Sequence, residues 1–207
     1  MIPRLLLLSV ARAAQDAPPK FYSWHGFEWV AFDNGRREID AQFHFRTRDR
    51  FSVFQLVRGS VYGSQRIRKN WVAGGGFLVQ AQEADPTWAP QKRFWASITR
   101  EIQTRNFEHS VRVQTDHLFA MRDPAYTRYR FAWQTEWKRR LAPYAGVEEF
   151  VEHAGRQRTR PRAGVSFVAS RAIDVNIQYA FDHIYLRNPG NRHILQTTFS
   201  FHKPSRY

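Results

Sequence analysis

Apolar and polar residues alternate one for one through much of the chain. Between Glu38 and Arg46, the residues Ile39, Ala41, Phe43 and Phe45 fall on one side, and Glu38, Asp40, Gln42, His44 and Arg46 on the other. Near the C-terminus Ile173, Val175, Ile177, Tyr179 and Phe181 alternate with Asp174, Asn176, Gln178, Ala180 and Asp182. Successive side chains of a β-strand leave opposite faces, so a period of two predicts strands with one apolar and one ionic face. Bounded by turn residues, the pattern predicts strands over Tyr22–Phe32, Glu38–Arg46, Phe51–Tyr62, Arg68–Gln80, Arg93–Gln103, Phe107–Asp116, Tyr126–Trp137, Tyr144–Glu152, Arg162–Ser170, Ile173–Tyr185 and His193–Phe201.

These stretches run to roughly 9–12 residues, the length a tilted strand needs to cross a bilayer. The connections differ in kind. Asp33-Asn34-Gly35-Arg36, Gly63 to Arg66, Thr104 to Asn106 and Ser170 to Ala172 read as tight turns, the Asn-Gly pair suiting the positive φ of a hairpin. Ala81 to Gln91 with Pro86 and Pro90, His117 to Ala125 with Asp123-Pro124, His153 to Arg160, and Leu186 to Arg192 read as longer loops. Short turns at one rim and longer loops at the other predict an all-β, antiparallel up-and-down transmembrane barrel with its short turns on the periplasmic side. Single-chain bacterial barrels have even strand numbers. Eleven stretches therefore imply a further strand hidden in Lys20–Phe32 or one false stretch. The expectation is about ten to twelve strands, with twelve favoured.

Alternation alone does not say which face is inside. A soluble barrel or sandwich keeps its apolar face inward, a membrane barrel the reverse. The polar face here is strongly ionic and mixed in sign. The apolar face carries rings suited to bilayer interfaces, as in Tyr129, Phe131, Trp133 and Trp137. The expected lumen residues are therefore Glu38, Asp40, His44, Arg46, Glu101, Glu108, Arg112, Asp116, Arg128, Arg130, Glu136 and Glu148. The expected lipid-facing residues are Ile39, Phe43, Phe45, Phe131, Trp133, Trp137, Val175, Ile177, Tyr179, Phe199 and Phe201.

Composition narrows this further. The 207 residues suit one domain, 43% are hydrophobic and 15% aromatic. A mean hydropathy of −0.59 does not argue against a barrel, whose apolar band is diluted by alternation. A basic start at Arg4, an apolar run from Leu5 to Val10 and the small residues Ala11, Ala13 and Ala14 have the parts of a secretory signal. The expected division is a signal over residues 1–14, cleaved after Ala13 or Ala14, and one barrel over 15–207. The net charge of +14 points to nucleic acid or anionic lipid. Many cations fall in predicted turns: Arg36 and Arg37; Arg66, Arg68 and Lys69; Lys138 to Arg140; Arg156, Arg158 and Arg160. That placement favours lipid phosphates, and no nucleic-acid partner is expected. Cysteine is absent, which excludes disulfides, thiol nucleophiles and Cys-based zinc sites.

Several segments resemble a known group. Trp24 or Trp29 precedes a hairpin ending in Arg46 or Arg48, and Val111-Arg112-Val113-Gln114 forms a polar strand. Arg128-Tyr129-Arg130-Phe131, Glu148-Glu149-Phe150 and the segment from Arg160 to Phe167 then lead into the last two strands. In this order, from about Trp24 to Phe201, they resemble the short, uncharacterised outer-membrane β-barrel proteins of Gram-negative bacteria, a domain of unknown function. One departure is His109-Ser110, where the group tends to place an arginine. The resemblance implies fold and location, and no established activity. Outer-membrane barrels also tend to finish on an aromatic residue read by the assembly machinery. Leu195, Thr197, Phe199 and Phe201 resemble such a last strand, followed here by a tail containing Pro204 and ending in Tyr207.

Catalytic patterns are weak. His109 and Ser110 are adjacent on a strand and so face opposite sides, as do Glu148 and Glu149. His153 beside Glu152 is a weak general-base candidate. No phosphate-binding loop or metal spacing stands out, and Gly74-Gly75-Gly76 reads as a site of close packing. No cofactor and no metal are expected. Cross-strand pairs of opposite charge account for the polar face, and a barrel of this size is mostly filled by its side chains. The expected protein is a monomeric, non-enzymatic outer-membrane barrel with a structural role or a narrow path for small solutes or anions. Its partners would be outer-membrane lipid and lipopolysaccharide, with the barrel-assembly machinery during biogenesis. Two alternatives are a barrel enzyme acting on lipid or peptide at the outer rim and a soluble basic β-protein binding polyanions.

Overall fold

The computed structural model describes residues 20–48, 53–84, 87–120, 125–186 and 189–202. The expected signal over residues 1–14, Pro86, Asp123-Pro124, Asn188 and the tail with Pro204 and Tyr207 lie outside the described residues. Among the described residues eleven strands follow one another: β1 (Lys20–Asp33), β2 (Arg37–Arg48), β3 (Val53–Arg68), β4 (Trp71–Ala84), β5 (Thr87–Gln103), β6 (Phe107–Ala120), β7 (Tyr126–Trp137), β8 (Leu141–Glu152), β9 (Gly155–Ser170), β10 (Ile173–Ile184) and β11 (Gly190–Phe201). They form one closed barrel in which each strand pairs with its sequence neighbours and β1 pairs with β11.

The favoured count of twelve is corrected to eleven. No strand is hidden in Lys20–Phe32 and no stretch was false. Up-and-down strands reverse direction at every turn, so an odd number leaves the first and last pointing the same way. The ring therefore closes with a parallel pair, from Lys20↔Arg192 to Trp29↔Phe201, while the ten other pairings are antiparallel. This seam is well packed on both faces. Outside, Phe27 stacks on Phe199 at 5.9 Å between centroids and Trp29 on Phe201 at 5.8 Å. Inside, Tyr22, Ala180 and Ile194 form an apolar cluster against Trp24, and Ser200 Oγ donates to Glu28 at 2.9 Å.

The loops are shorter than the prolines and glycines suggested. β3 runs through Gly63–Arg66 to a turn at Lys69-Asn70, and β4 and β5 leave only two residues between them. His153-Ala154 alone separates β8 from β9, and Gly155 takes the positive φ of 113° that this turn needs. Pro90, Pro143 and Pro161 sit within paired strands on the exposed outer face. A proline removes one ladder donor but its fixed φ is compatible with an extended chain. The Asn34-Gly35 hairpin is as expected, with Gly35 at φ 76° and Asn34 Oδ1 accepting from the amides of Arg36 and Arg37.

The faces are disposed polar inward and apolar outward. Asp40, Asp116, Glu148 and Asp182 are at most 1% exposed, whereas Phe43, Phe94, Phe131 and Trp133 are 41–50% exposed on the outer wall. Trp29, Trp71 and Trp137 belt the outside near the rim of short turns, and Trp88 and Tyr185 lie near the opposite, N-terminal rim. The glycines in β4 make room inside. Gly76 sits in register between Tyr62 and Trp95, whose rings stack across it at 6.2 Å.

Candidate functional site

Three buried carboxylates organise the middle of the lumen. Glu148 on β8 faces Ala132 of β7 and Arg160 of β9 in register, which places arginines from both neighbours around it. Arg130 donates to Glu148, with Arg162 at 3.1 Å, Arg160 at 3.6 Å and Arg112 at 3.8 Å. Asp116 accepts from Arg128 Nη2 at 2.7 Å and Gln114 Nε2 at 2.6 Å, with Arg93 at 3.7 Å. Asp182 accepts from Arg158 Nη1 and Arg160 Nη2, both at 3.0 Å. Such pairing and hydrogen bonding is what a charge needs to be kept out of water.

Aromatic rings carry the remaining guanidinium faces. Phe150, only 2% exposed, is flanked by Arg158 at 4.0 Å, Arg128 at 5.0 Å, Arg130 at 5.3 Å and Arg160 at 5.4 Å. Trp24 has Arg58 at 5.4 Å, Arg46 at 5.5 Å and Arg160 at 5.9 Å from its ring. Attraction between a cation and a ring face strengthens when both are desolvated. Together the ion pairs and rings fill the barrel at mid-height with stacked, interlocked side chains.

Toward the short-turn rim the lumen opens into a cavity of about 650 Å³. His44, Arg58 and Arg162 lie at its inner end; Glu28, Glu136 and Asp174 lie nearer the rim, with Arg139 and Arg140 of the β7–β8 turn. Tyr144 crosses its wall, its hydroxyl within 2.9 Å of Asn176 Oδ1 and 3.1 Å of Gln178 Oε1. Gly164, opposite Tyr144 in register, leaves the space the ring occupies: a Cβ there would meet Tyr144 Oη at 2.6 Å.

The residues expected in the lumen divide by height. Asp40, His44, Arg46, Asp116, Arg128 and Glu148 are buried in the interior, and Arg112 and Arg130 are half-buried in the Glu148 network. Glu101 pairs with Arg66 at 2.7 Å near the short-turn rim. Glu136 lines the cavity, opposite Glu108 in register, and Glu38 is half-buried at the start of β2. On the outer face Ile39, Phe43, Phe131, Trp133, Ile177 and Tyr179 are exposed, and Phe45, Trp137, Phe199 and Phe201 are half-buried. Val175 is buried, flanked in register by Phe167 and Phe199. His109 hydrogen-bonds Thr135 at 2.8 Å, and His153 is exposed.

The turn cluster of Arg156, Arg158 and Arg160 is corrected. All three are on β9; Arg156 is exposed, but Arg158 and Arg160 bond Asp182 inside the barrel. Arg58, Arg93, Arg162, Trp24 and Phe150 also belong to the interior and were missed, while Asp182 was set on the ionic face of its strand but not among the expected lumen residues. The period of Arg158-Thr159-Arg160-Pro161-Arg162 carries β9 back past its expected start at Arg162. Phe150 falls on the ionic face of its own strand, two places from Glu148 and Glu152.

Comparison with family models, curated proteins and solved structures finds no match to this chain.

Proposed function

We propose that the chain is an integral outer-membrane β-barrel whose arginine–carboxylate interior closes the lumen, a structural membrane protein rather than a wide pore. The observation that carries this reading is the inverted disposition of the faces. Ionic groups such as Glu148 and Asp116 are buried inside, and a band of exposed Phe, Ile, Val and Trp covers the outside. In water that outer wall would be an apolar patch far larger than soluble proteins keep. In lipid it is the solvated surface, and closure of the sheet satisfies every strand edge. Strands of 12–17 residues suffice to cross a bilayer when tilted. Mitochondrial barrels with an odd strand number exist, so eleven is compatible with a membrane location. The resemblance to the uncharacterised Gram-negative outer-membrane group supports the same location, with lipopolysaccharide outside and the assembly machinery as a partner during biogenesis.

Membrane fractionation tests the location: recovery with the outer membrane, solubility only in detergent and heat-modifiable gel migration are expected. Recovery from a detergent-free soluble extract would overturn it. Planar-bilayer recording tests the closed lumen, for which no current steps above baseline are expected. Anion-selective steps would favour a second reading, narrow anion permeation, which the surplus of interior arginines supports.

A further inference from the structure

Charge in the middle of the barrel does not balance. Arg93, Arg112, Arg128, Arg130, Arg158, Arg160 and Arg162 share the carboxylates Asp116, Glu148 and Asp182. Arg46 and Arg58 add two more guanidinium groups. Each is held against aromatic rings; Arg46 has Asp182 as its nearest counter-charge, whereas Arg58 has other arginines around it and no carboxylate partner among the described residues. Buried charge is tolerated when counter-charge and hydrogen bonds accompany it. With an apolar outer wall, the missing negative charge has to enter through the lumen.

Arg58 is the member of this surplus that faces the cavity. Its Nε is buried without a hydrogen-bond partner, and Trp24 braces its guanidinium carbon at 5.4 Å. His44 beside it is 5% exposed, lines the same inner end, and has an Nδ1 without a partner. The amides of Gln42 and Gln196 in the lining already donate, to Glu28 and Asp40 and to Thr198, which leaves Arg58 as the principal donor at this end. By contrast Arg162, the other arginine there, already engages Glu148 and Gln134.

We propose that the inner end of the cavity is a binding site for a small oxyanion, a phosphate or a carboxylate, with the Arg58 guanidinium as its principal contact. Two parallel N–H groups of one guanidinium match two oxygens of such an anion. Trp24 fixes the plane of the fork, and the bound anion supplies counter-charge to Arg58 and Arg46. The carboxylates of Glu28, Glu136 and Asp174 nearer the rim repel extended polyanions, so the site selects small ligands. The inference goes beyond the structural role and rests on the membrane reading only for the dryness of the outer wall.

The test uses the full chain, purified in octyl glucoside free of phosphate and shown by heat-modifiable migration to be a folded barrel. Inorganic phosphate and acetate are titrated separately by calorimetry, and thermal unfolding is followed at ionic strength matched with sodium chloride. Saturable binding of at least one anion is expected, with a raised unfolding midpoint; the stronger of the two identifies the ligand chemistry. Arg58→Gln should weaken that binding about tenfold or more, the worth of a charged hydrogen bond. Arg105→Gln, at the exposed β5–β6 turn and outside the cavity lining, should leave it unchanged. No response of the unaltered protein beyond that of chloride would overturn the proposal, as would Arg58→Gln binding as tightly. If Arg58→Gln does not fold, Arg58→Lys keeps the charge and removes the fork, and undiminished binding by it would overturn the bidentate contact. Failure here leaves a heat-modifiable membrane barrel in hand, whereas failure of the membrane reading is seen earlier, as a protein soluble without detergent.

Discussion

Replacing Glu148 by glutamine puts the interior network to a quantitative test. The side chain is 1% exposed and lies within 4 Å of four guanidinium groups, on Arg112, Arg130, Arg160 and Arg162. Glu148→Gln keeps size and one acceptor oxygen but removes the charge. Arg160 retains Asp182, while Arg112, Arg130 and Arg162 lose their carboxylate among the described residues. Breaking a buried ion pair by removing one partner costs about 3–5 kcal/mol. The retained amide oxygen places this variant near about 3 kcal/mol. Urea unfolding of the barrel in lipid vesicles, followed by tryptophan fluorescence, reads the difference. Glu149→Gln is the matched control. It alters the adjacent residue on the other face, whose partners are Thr159 and the exposed Arg156, and should cost no more than about 1 kcal/mol. The double variant Glu148→Gln with Arg112→Gln should regain part of the loss, because it removes one surplus cation. A Glu148→Gln variant within about 0.5 kcal/mol of the unaltered protein would refute the claim that this carboxylate holds the lumen together.

Other perturbations address other layers of the structure. Phe27→Cys combined with Phe199→Cys should oxidise to an intramolecular disulfide, because the chain has no cysteine of its own and the two positions are paired across the parallel seam; absence of a crosslink in folded barrel would count against parallel closure. Trp133→Arg, on the exposed outer wall midway along β7, should destabilise the barrel in lipid by about 2–4 kcal/mol, read by the same unfolding assay. Gly164→Val should lower stability by about 1–3 kcal/mol or more, because its Cβ would crowd the Ile177 carbonyl as well as the Tyr144 ring; loss of the Tyr144 bonds to Asn176 and Gln178 would be seen as an altered tyrosine environment in near-ultraviolet circular dichroism. Phe150→Leu should destabilise by more than its lost volume alone, because four arginines lose a ring face, and Phe150→Trp should retain more stability than the leucine variant.

The strands were legible because the period of two is a local property. Ile39 and Phe43 against Asp40 and His44 need no distant information to be sorted into two faces. Strand ends were less legible, because Pro90 and Pro161 carry a local breaking tendency that pairing on both sides of a closed sheet overrides. Closure itself was beyond local pattern. Nothing around Lys20 or Phe201 distinguishes a twelfth strand from a parallel seam, since the decision depends on the parity of the whole ring. The expectation of a further strand in Lys20–Phe32, or of one false stretch, followed from an even-number rule and not from any residue in the segment.

The interior shows why charge pattern predicts burial better than it predicts partners. The expected lumen set Arg112, Arg128 and Arg130 beside Glu101, Glu108, Glu136 and Glu148, with cross-strand pairs of opposite charge accounting for the polar face. Of these carboxylates only Glu148 lies at their height; Glu101, Glu108 and Glu136 stand within two residues of strand ends at the short-turn rim. The mid-height acids that do the pairing include Asp116 and Asp182, which their strands carry to the same level as Arg128 and Arg160. Height in a barrel is set jointly by register and stagger, two quantities that no single strand encodes. A lumen that looked balanced in sequence is thus divided in space, with cations held on Phe150 and Trp24 in the middle and acids gathered around the cavity mouth. That separation, rather than the net charge of the chain, is what makes Arg58 a site for an incoming anion.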